Sequence, residues 1–463
     1  MVPLSDASKW VEAQFEGVDI GDERRNRRLV RLATALAEKP HGTLPSTFST
    51  WADLKASYRL FGCDDMSYEQ VISQHVLMTQ KECKGQGEFL LLQDTTTLDF
   101  TTHPMTEGLG RIGDDRGYGM LLHTALAVRV ESWSAQDGMI TSMIGLAGQM
   151  CWTRQGEAKR QVEPKMDRLR RHRESLRWTE VLHDMGRAPT GAKWSVIGDR
   201  EADMYELFEY CQAQDLQFII RACSSRALAS EDAHTFDVVK EAPILGSFTL
   251  RLRARPGVRA RIARLEVRSC STTIRGAQRP GGRRPPITLS VIDVSEIGSP
   301  KGVKPLNWIL YTSLRCDSFE EALRCVHTYE KRWLIEEYHK ALKTGTAVEK
   351  SQLSTAERLK NLLGILAVVA VRLLGLKLIA AAQPDAAARS TFLSPAAKAV
   401  LEAKISRPPH GWTNKTLLVA IAMIGGFLGR KSDGLPGWQT IWRGWQRLEL
   451  MAEGAQLMLE HTK

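Results

Sequence analysis

The chain has 463 residues, 43% hydrophobic and 25% charged, with 63 Lys+Arg against 53 Asp+Glu for a formal net charge of +10. This composition excludes a disordered or fibrous protein, and the length suits about two to four domains. The excess of cations favours a polyanionic partner, most simply nucleic acid. The cysteines form neither a C-x-x-C pair nor a Cys/His zinc spacing, and read as reduced, mostly buried thiols of a cytoplasmic protein. Met1 to Glu12 lacks the basic-then-apolar pattern of a signal peptide.

Residues 1 to about 75 read as helical. Asp22 is a capping residue, and Arg24, Arg25, Arg27, Arg28 and Arg31 follow within two turns, with Leu29, Leu32 and Leu36 on the apolar side. That is more cation than solubility requires and points to phosphate contact. From about residue 80 the pattern becomes strand-like. The apolar run from Phe89 carries Asp94 inside it, and a buried carboxylate requires a cation, a metal or a strand end. Leu121–Val130 and Met139–Leu146 complete an expected antiparallel meander. Gly108–Gly113 is formally G-x-G-x-x-G, but no strand leads directly into it and no helix follows, so it reads as a flexible loop and not a dinucleotide site.

Residues 164–186 read as a basic helix with Arg168, Arg170, Arg171 and Arg173. Lys193–Asp199 is a short apolar strand ending in a carboxylate, followed by a helix over Glu201–Gln212 and a strand over Gln217–Arg221. Ligands of such α/β units sit at strand ends, which places Asp199 at an active edge with Asp203 as a competitor. Residues 223 to about 305 form a β insertion, with strands expected at Phe248–Arg253, Ala260–Val267 and Ile287–Val294 and a mobile hairpin tip at Arg275–Pro286. Between Arg251 and Arg284 stand eleven arginines and a single acid, Glu266, which reads as a nucleic-acid surface. Asn307–Ser313 returns to a buried-strand pattern.

Tyr329–Lys343 has no Gly or Pro and reads as a helix. At about 100° per residue, Tyr329, Arg332, Glu336 and Lys343 share an arc of about 60°, opposite Leu334, Ile335, Tyr338 and Leu342. Residues 355–450 are expected to be largely helical, at Leu362–Ala382, Pro395–Lys404 and Lys415–Leu428. The first has membrane length but contains Arg372 and Lys377, so a buried helix is the better reading. Trp438, Trp442 and Trp445 at helical spacing suit core or a subunit contact.

The pattern Tyr329-x2-Arg332-x3-Glu336-x6-Lys343 resembles the Y-R-E-K signature of bacterial cut-and-paste DDE transposases of the insertion-sequence-four type. Asp94 in Leu-Gln-Asp-Thr-Thr and Asp199 in Gly-Asp-Arg-Glu-Ala-Asp are similar to that family's first two catalytic aspartates, and Glu336 to its third carboxylate. The resemblance selects Asp199 over Asp203. It implies an α/β, RNase H-like mixed-sheet core with a β-strand insertion, flanked by helical N- and C-terminal domains. The boundaries expected are a DNA-end-binding domain over 1–75, core over 76–222, a basic β insertion over 223–304, core again over 305–365, and a helical, dimerising domain over 366–463.

The resemblance further implies that Asp94, Asp199 and Glu336 hold two Mg²⁺ ions, with Mn²⁺ as a substitute. Tyr329, Arg332 and Lys343 would hold DNA phosphates and a flipped base, and Trp308 would stack on that nucleotide, a buried sheet Trp being the competing reading. Arg221 would contact end DNA, although Ala222 and Cys223 follow where relatives can carry another cation. Arg24, Arg25 and Arg28 would bind the terminal repeats. The implied activity is cleavage at transposon ends and strand transfer into target DNA through a hairpin intermediate. The implied partners are terminal inverted repeats, target DNA and a second copy of the chain, with no membrane and no nucleotide cofactor. The alternatives are a DNA-binding relative that has lost catalysis and a stand-alone RNase H-like nuclease.

Overall fold

The computed structural model describes residues 7–48, 50–113, 116–154, 173–252, 260–388, 393, 395–430 and 433–461. The chain opens with helices α1 Ala7–Phe15, α2 Glu23–Glu38, α3 Leu44–Thr47, α4 Trp51–Phe61 and α5 Tyr68–Cys83. Asp22 caps α2 as its position suggests, accepting from the backbone N–H of Arg24 at 2.7 Å and of Arg25 at 3.4 Å. Leu29, Leu32, Ala33 and Leu36 turn into the core and leave the arginines on the outer side.

Strands β1 Gly87–Asp99, β2 Gly110–Ile112, β3 Gly117–Ser134 and β4 Gly138–Trp152 follow, then α6 Arg177–Glu180, β5 Ala192–Gly198, α7 Tyr205–Ala213, β6 Gln217–Arg221 and α8 Thr235–Glu241. Next come β7 Ile244–Leu252, β8 Arg261–Ile274, β9 Gln278–Arg279, β10 Gly282–Arg283, β11 Ile287–Ile297 and β12 Asn307–Thr312. The chain closes with α9 Phe319–Glu330, α10 Trp333–Lys340, α11 Ala356–Ala382, α12 Pro395–Lys404, α13 Asn414–Ile424 and α14 Trp438–His461.

Among the described residues one mixed sheet of ten strands runs in the order β2-β3-β1-β5-β6-β12-β11-β8-β7, with β4 on β3. β1, β3 and β4 form the expected antiparallel meander. β1 pairs in parallel with β5, and β5 with β6. Alternate residues serve two cores. Leu90, Leu92, Ile197, Ile219 and Leu310 pack on one face in the larger core with Val326, Ile335 and Leu366 of the C-terminal half. Phe89, Leu91, Val196, Phe218 and Tyr311 pack on the other with Leu207 and Phe208 of α7. Burial on both faces explains why the central strands read as unbroken apolar runs. The mixed α/β sheet between helical regions is the RNase H-like architecture that the sequence pointed to.

Several local expectations are corrected. Gly108–Gly113 is not a free loop. Gly110–Ile112 is an edge strand on β3, and a Cβ on Gly110 would lie 2.4 Å from the Arg154 carbonyl oxygen. Gly110 serves close backbone packing, while Gly108 and Gly113 take positive φ of 80° and 62°. Residues 164–172, including Arg168, Arg170 and Arg171, lie outside the described residues. Beyond them are only 3-10 turns at Glu174–Leu176 and His183–Met185 around α6. Trp178, Val181, Leu182 and Met185 still fill the second core, so the apolar spacing is kept without a continuous helix.

Within 244–297, β9 and β10 form a small two-stranded sheet of their own, while β11 pairs antiparallel with β12 and carries β8 and β7 onto the core sheet. The signature segment is not one helix either. It breaks at Lys331–Arg332, where Leu334 and Ile335 N–H groups bond three residues back, and it ends in a π-helical turn over Ala341–Gly345. The long apolar helix α11 is buried as expected: 83% of its most apolar window lies inside the protein, and Arg372 stacks 5.2 Å from the Trp10 ring centroid.

Candidate nucleic-acid cleavage site

The site is built at the tips of β1 and β5. The parallel register pairs Leu92 with Ile197, so Asp94 and Asp199, two residues further on, stand level on neighbouring strands. Each lies in step with larger-core residues, Leu90 and Leu92 for Asp94 and Ile197 for Asp199. Asp199 ends β5 and caps the 3-10 turn Arg200–Ala202, its Oδ1 accepting from the Glu201 N–H at 2.8 Å. Glu336 arrives from α10. Asp203 is the weaker candidate on geometry as well. Its carboxylate is fully buried and taken up by Arg226 and by the N–H groups of Cys223 and Ser224, at 2.7 and 3.2 Å.

Arg332 links two of the three carboxylates. It pairs with Glu336 one turn on and reaches Asp94 Oδ2 at 3.6 Å. Burial pushes the Asp94 carboxyl up to about 7, and the charges of Asp199 and Glu336 add to it. Arg332 and the Thr95 N–H oppose the rise without cancelling it. Among the described residues no three acid, His or Cys side chains are grouped at metal-holding distance. The donor set is nonetheless all oxygen, crowded and short of cations, which suits a hard divalent ion.

Of the DNA-contact candidates, Tyr329 and Arg221 lie beside Arg332. Tyr329, at the end of α9, is buried, and its ring lies 6.4 Å from that of Trp308 on β12. Burial raises the Tyr329 hydroxyl, while the nearby Arg332 and Arg221 pull it down. Arg221 ends β6 and donates to the Asn307 carbonyl at 3.4 Å. Trp308 is only partly buried, so neither reading of it is excluded by packing. Lys343 sits in the π turn, 3.6 Å from Glu349.

Arg24, Arg25 and Arg28 do not join this group. They line a separate cleft of about 400 Å³ between α2 and α4, together with Arg59. Arg25 pairs with Asp65 and Arg28 with Asp53 there. The arginine-rich insertion is less free than its sequence suggests. Arg261 pairs with Glu296, Arg268 with Glu266, Arg279 with Glu206 and Arg284 with Glu209. Arg251 and Arg264 stay exposed, and Arg253, Arg255 and Arg259 lie outside the described residues.

Sequence reading missed Arg177, Arg59 and Glu337. Arg177 donates to Thr95 Oγ1 at 2.9 Å and pairs with Glu201. Thr95 Oγ1 lies 2.9 Å from His123 Nδ1, and His123 Nε2 lies 3.0 Å from Gln93 Oε1. Burial holds that imidazole neutral, so the chain of bonds fixes β1 on either side of Asp94. These contacts join residues far apart in the chain, and no periodicity could have shown them.

Residues 7–66 match the family model described as transposase DNA-binding, and residues 368–462 match the Tn5 transposase dimerisation domain. The arginine cleft lies wholly within the first match, and α12 to α14 within the second. The two matches support a transposase of the Tn5 type, with a DNA-binding segment among the N-terminal helices and a dimerisation segment among the C-terminal ones.

Proposed function

We propose that the chain is a metal-dependent DDE transposase of the Y-R-E-K subgroup that cuts DNA at the terminal inverted repeats of its element and joins the freed ends to target DNA. The observation that supports this reading is that Asp94 and Asp199 stand level on two parallel strands, with Glu336 tied to Asp94 through Arg332. These carboxylates would hold two Mg²⁺ ions, or Mn²⁺ in their place. The ions, when bound, would supply an activated oxygen nucleophile and charge stabilisation at phosphorus.

The rest is the work of the chain's own side chains. Arg332, Lys343 and Arg221 bring positive charge to phosphates beside the scissile bond, and Tyr329 donates its hydroxyl there. Trp308 offers an aromatic face to an unstacked base, as a hairpin intermediate with a flipped nucleotide requires. Arg24, Arg25 and Arg28 anchor the end sequence away from the chemistry. Dimerisation brings two such sites to two ends. The test is incubation of the full chain with end-labelled DNA flanking its own gene and Mg²⁺. Nicked, hairpin and strand-joined products are expected in that order. Unspecific degradation without joined product would replace this reading with a stand-alone nuclease.

A further inference from the structure

The residue after Glu336 is also a carboxylate, and it faces elsewhere. Successive helical residues point about 100° apart, so Glu337 turns from the sheet toward the C-terminal helices. Its Oε2 accepts from the Trp438 indole N–H of α14 at 2.5 Å and from Lys377 of α11. Its Oε1 accepts from Lys340 Nζ and from the Trp333 indole N–H, both at 3.3 Å. Lys377 lies 4.6 Å over the Trp438 ring, and that ring stacks on Trp442 at 5.4 Å and 9°. Trp442 in turn closes the far end of the segment, because a Cβ on Gly345 would lie 2.6 Å from its ring. The Trp stripe is therefore core, with Trp438, Trp442 and Trp445 all buried, and it fastens α14 to the helix that bears Glu336.

We propose that Glu337 is a positioning residue: through Trp438 and Lys377 it locks α10 to the C-terminal helices and so sets where Glu336 stands relative to Asp94. The proposal rests on Glu336 being a site carboxylate. A carboxylate with four donors from three helices over-determines the rotation of α10. Glu336 shares that rotation, and misplacement of a reacting group by about 1 Å costs roughly 100-fold in rate.

The test uses the full chain with Glu337→Gln, Trp438→Phe and both together. End binding is expected to stay within about 2-fold, while single-turnover cleavage at saturating DNA falls by roughly 10-fold or more. The double variant should be no worse than the poorer single one, because both break the same link. Amide hydrogen exchange of the DNA-free protein should quicken over residues 333–345 and stay unchanged in β1. A folded Glu337→Gln protein with wild-type cleavage rate and wild-type exchange overturns the proposal, as does a lower melting temperature with an unchanged single-turnover rate. If Glu337→Gln does not fold, Trp438→Phe decides alone, since it keeps the carboxylate and a ring. If the wild-type chain cleaves no DNA, the functional reading fails and exchange alone decides on the clamp: unchanged exchange over 333–345 sinks it.

Discussion

The acidic side of α7 and the carboxylates at the tips of β1 and β5 hold charge in opposite ways. Around α7 the acids are matched. Asp203 takes Arg226, Glu206 takes Arg173 and Arg279, and Glu209 takes Arg284. At the strand tips, Asp94, Asp199 and Glu336 stand together, and Arg332 pairs with two of them. Burial and like charge then keep the Asp94 carboxyl near 7. The first arrangement is matched within the chain, and the second leaves a buried carboxylate that is costly to ionise. Arginine density in the sequence overstated how open the insertion is, because acids from elsewhere in the chain pair with Arg261, Arg279 and Arg284.

Breaking a matched pair should give the largest stability effect. Asp203→Ala leaves Arg226 without its buried partner and should cost roughly 3–5 kcal/mol in denaturant unfolding. An effect near zero would place Asp203 among the unmatched acids. Replacing both Arg24 and Arg25 with Ala should weaken end binding by roughly 10-fold or more and reduce the slope of log affinity against log salt by about 2. An unchanged slope would remove the α2–α4 cleft from the interface.

Asp94→Asn should stabilise the metal-free protein by about 1–2 kcal/mol at pH 8, because it removes a carboxylate that is costly to ionise. The sign follows from linkage. The folded protein retains the Asp94 proton between the ordinary value of 3.8 and about 7, so this group's contribution to stability falls as pH rises through that window. Urea melts across the window should show a smaller fall in the variant, and an equal fall would relieve Asp94 of strain. The smallest effect belongs to Arg264→Ala. Arg264 is exposed on β8, and its loss should move stability by less than about 0.5 kcal/mol. A larger change would mean that the insertion's exposed arginines are matched too.

Much of the sheet was legible because burial on both faces leaves unbroken apolar runs. Asp94 stood out as a carboxylate inside such a run, and Asp199 as one at a strand end. The segment from Tyr329 was legible as helix and as the site's third wall, but its break at Lys331–Arg332 was not, since every residue there favours helix. What could not be read were partners set by the tertiary fold. Glu337 meets Lys377 and Trp438 from 40 and 101 residues away, and Glu206 meets Arg279 from 73. The same holds for the insertion, where acids on α7 and β11 pair with Arg261, Arg279 and Arg284.

The central claim is that the three carboxylates act as one centre, and Glu336→Gln tests it most directly. The substitution keeps the size of the side chain and a bond acceptor for Arg332 while removing the charge. Gel shift on end DNA and Mg²⁺-dependent nicking of the same fragment are measured side by side. Retained end binding is expected, with nicking reduced by at least ~100-fold. Nicking at the wild-type rate, with Mg²⁺ still required, would contradict it.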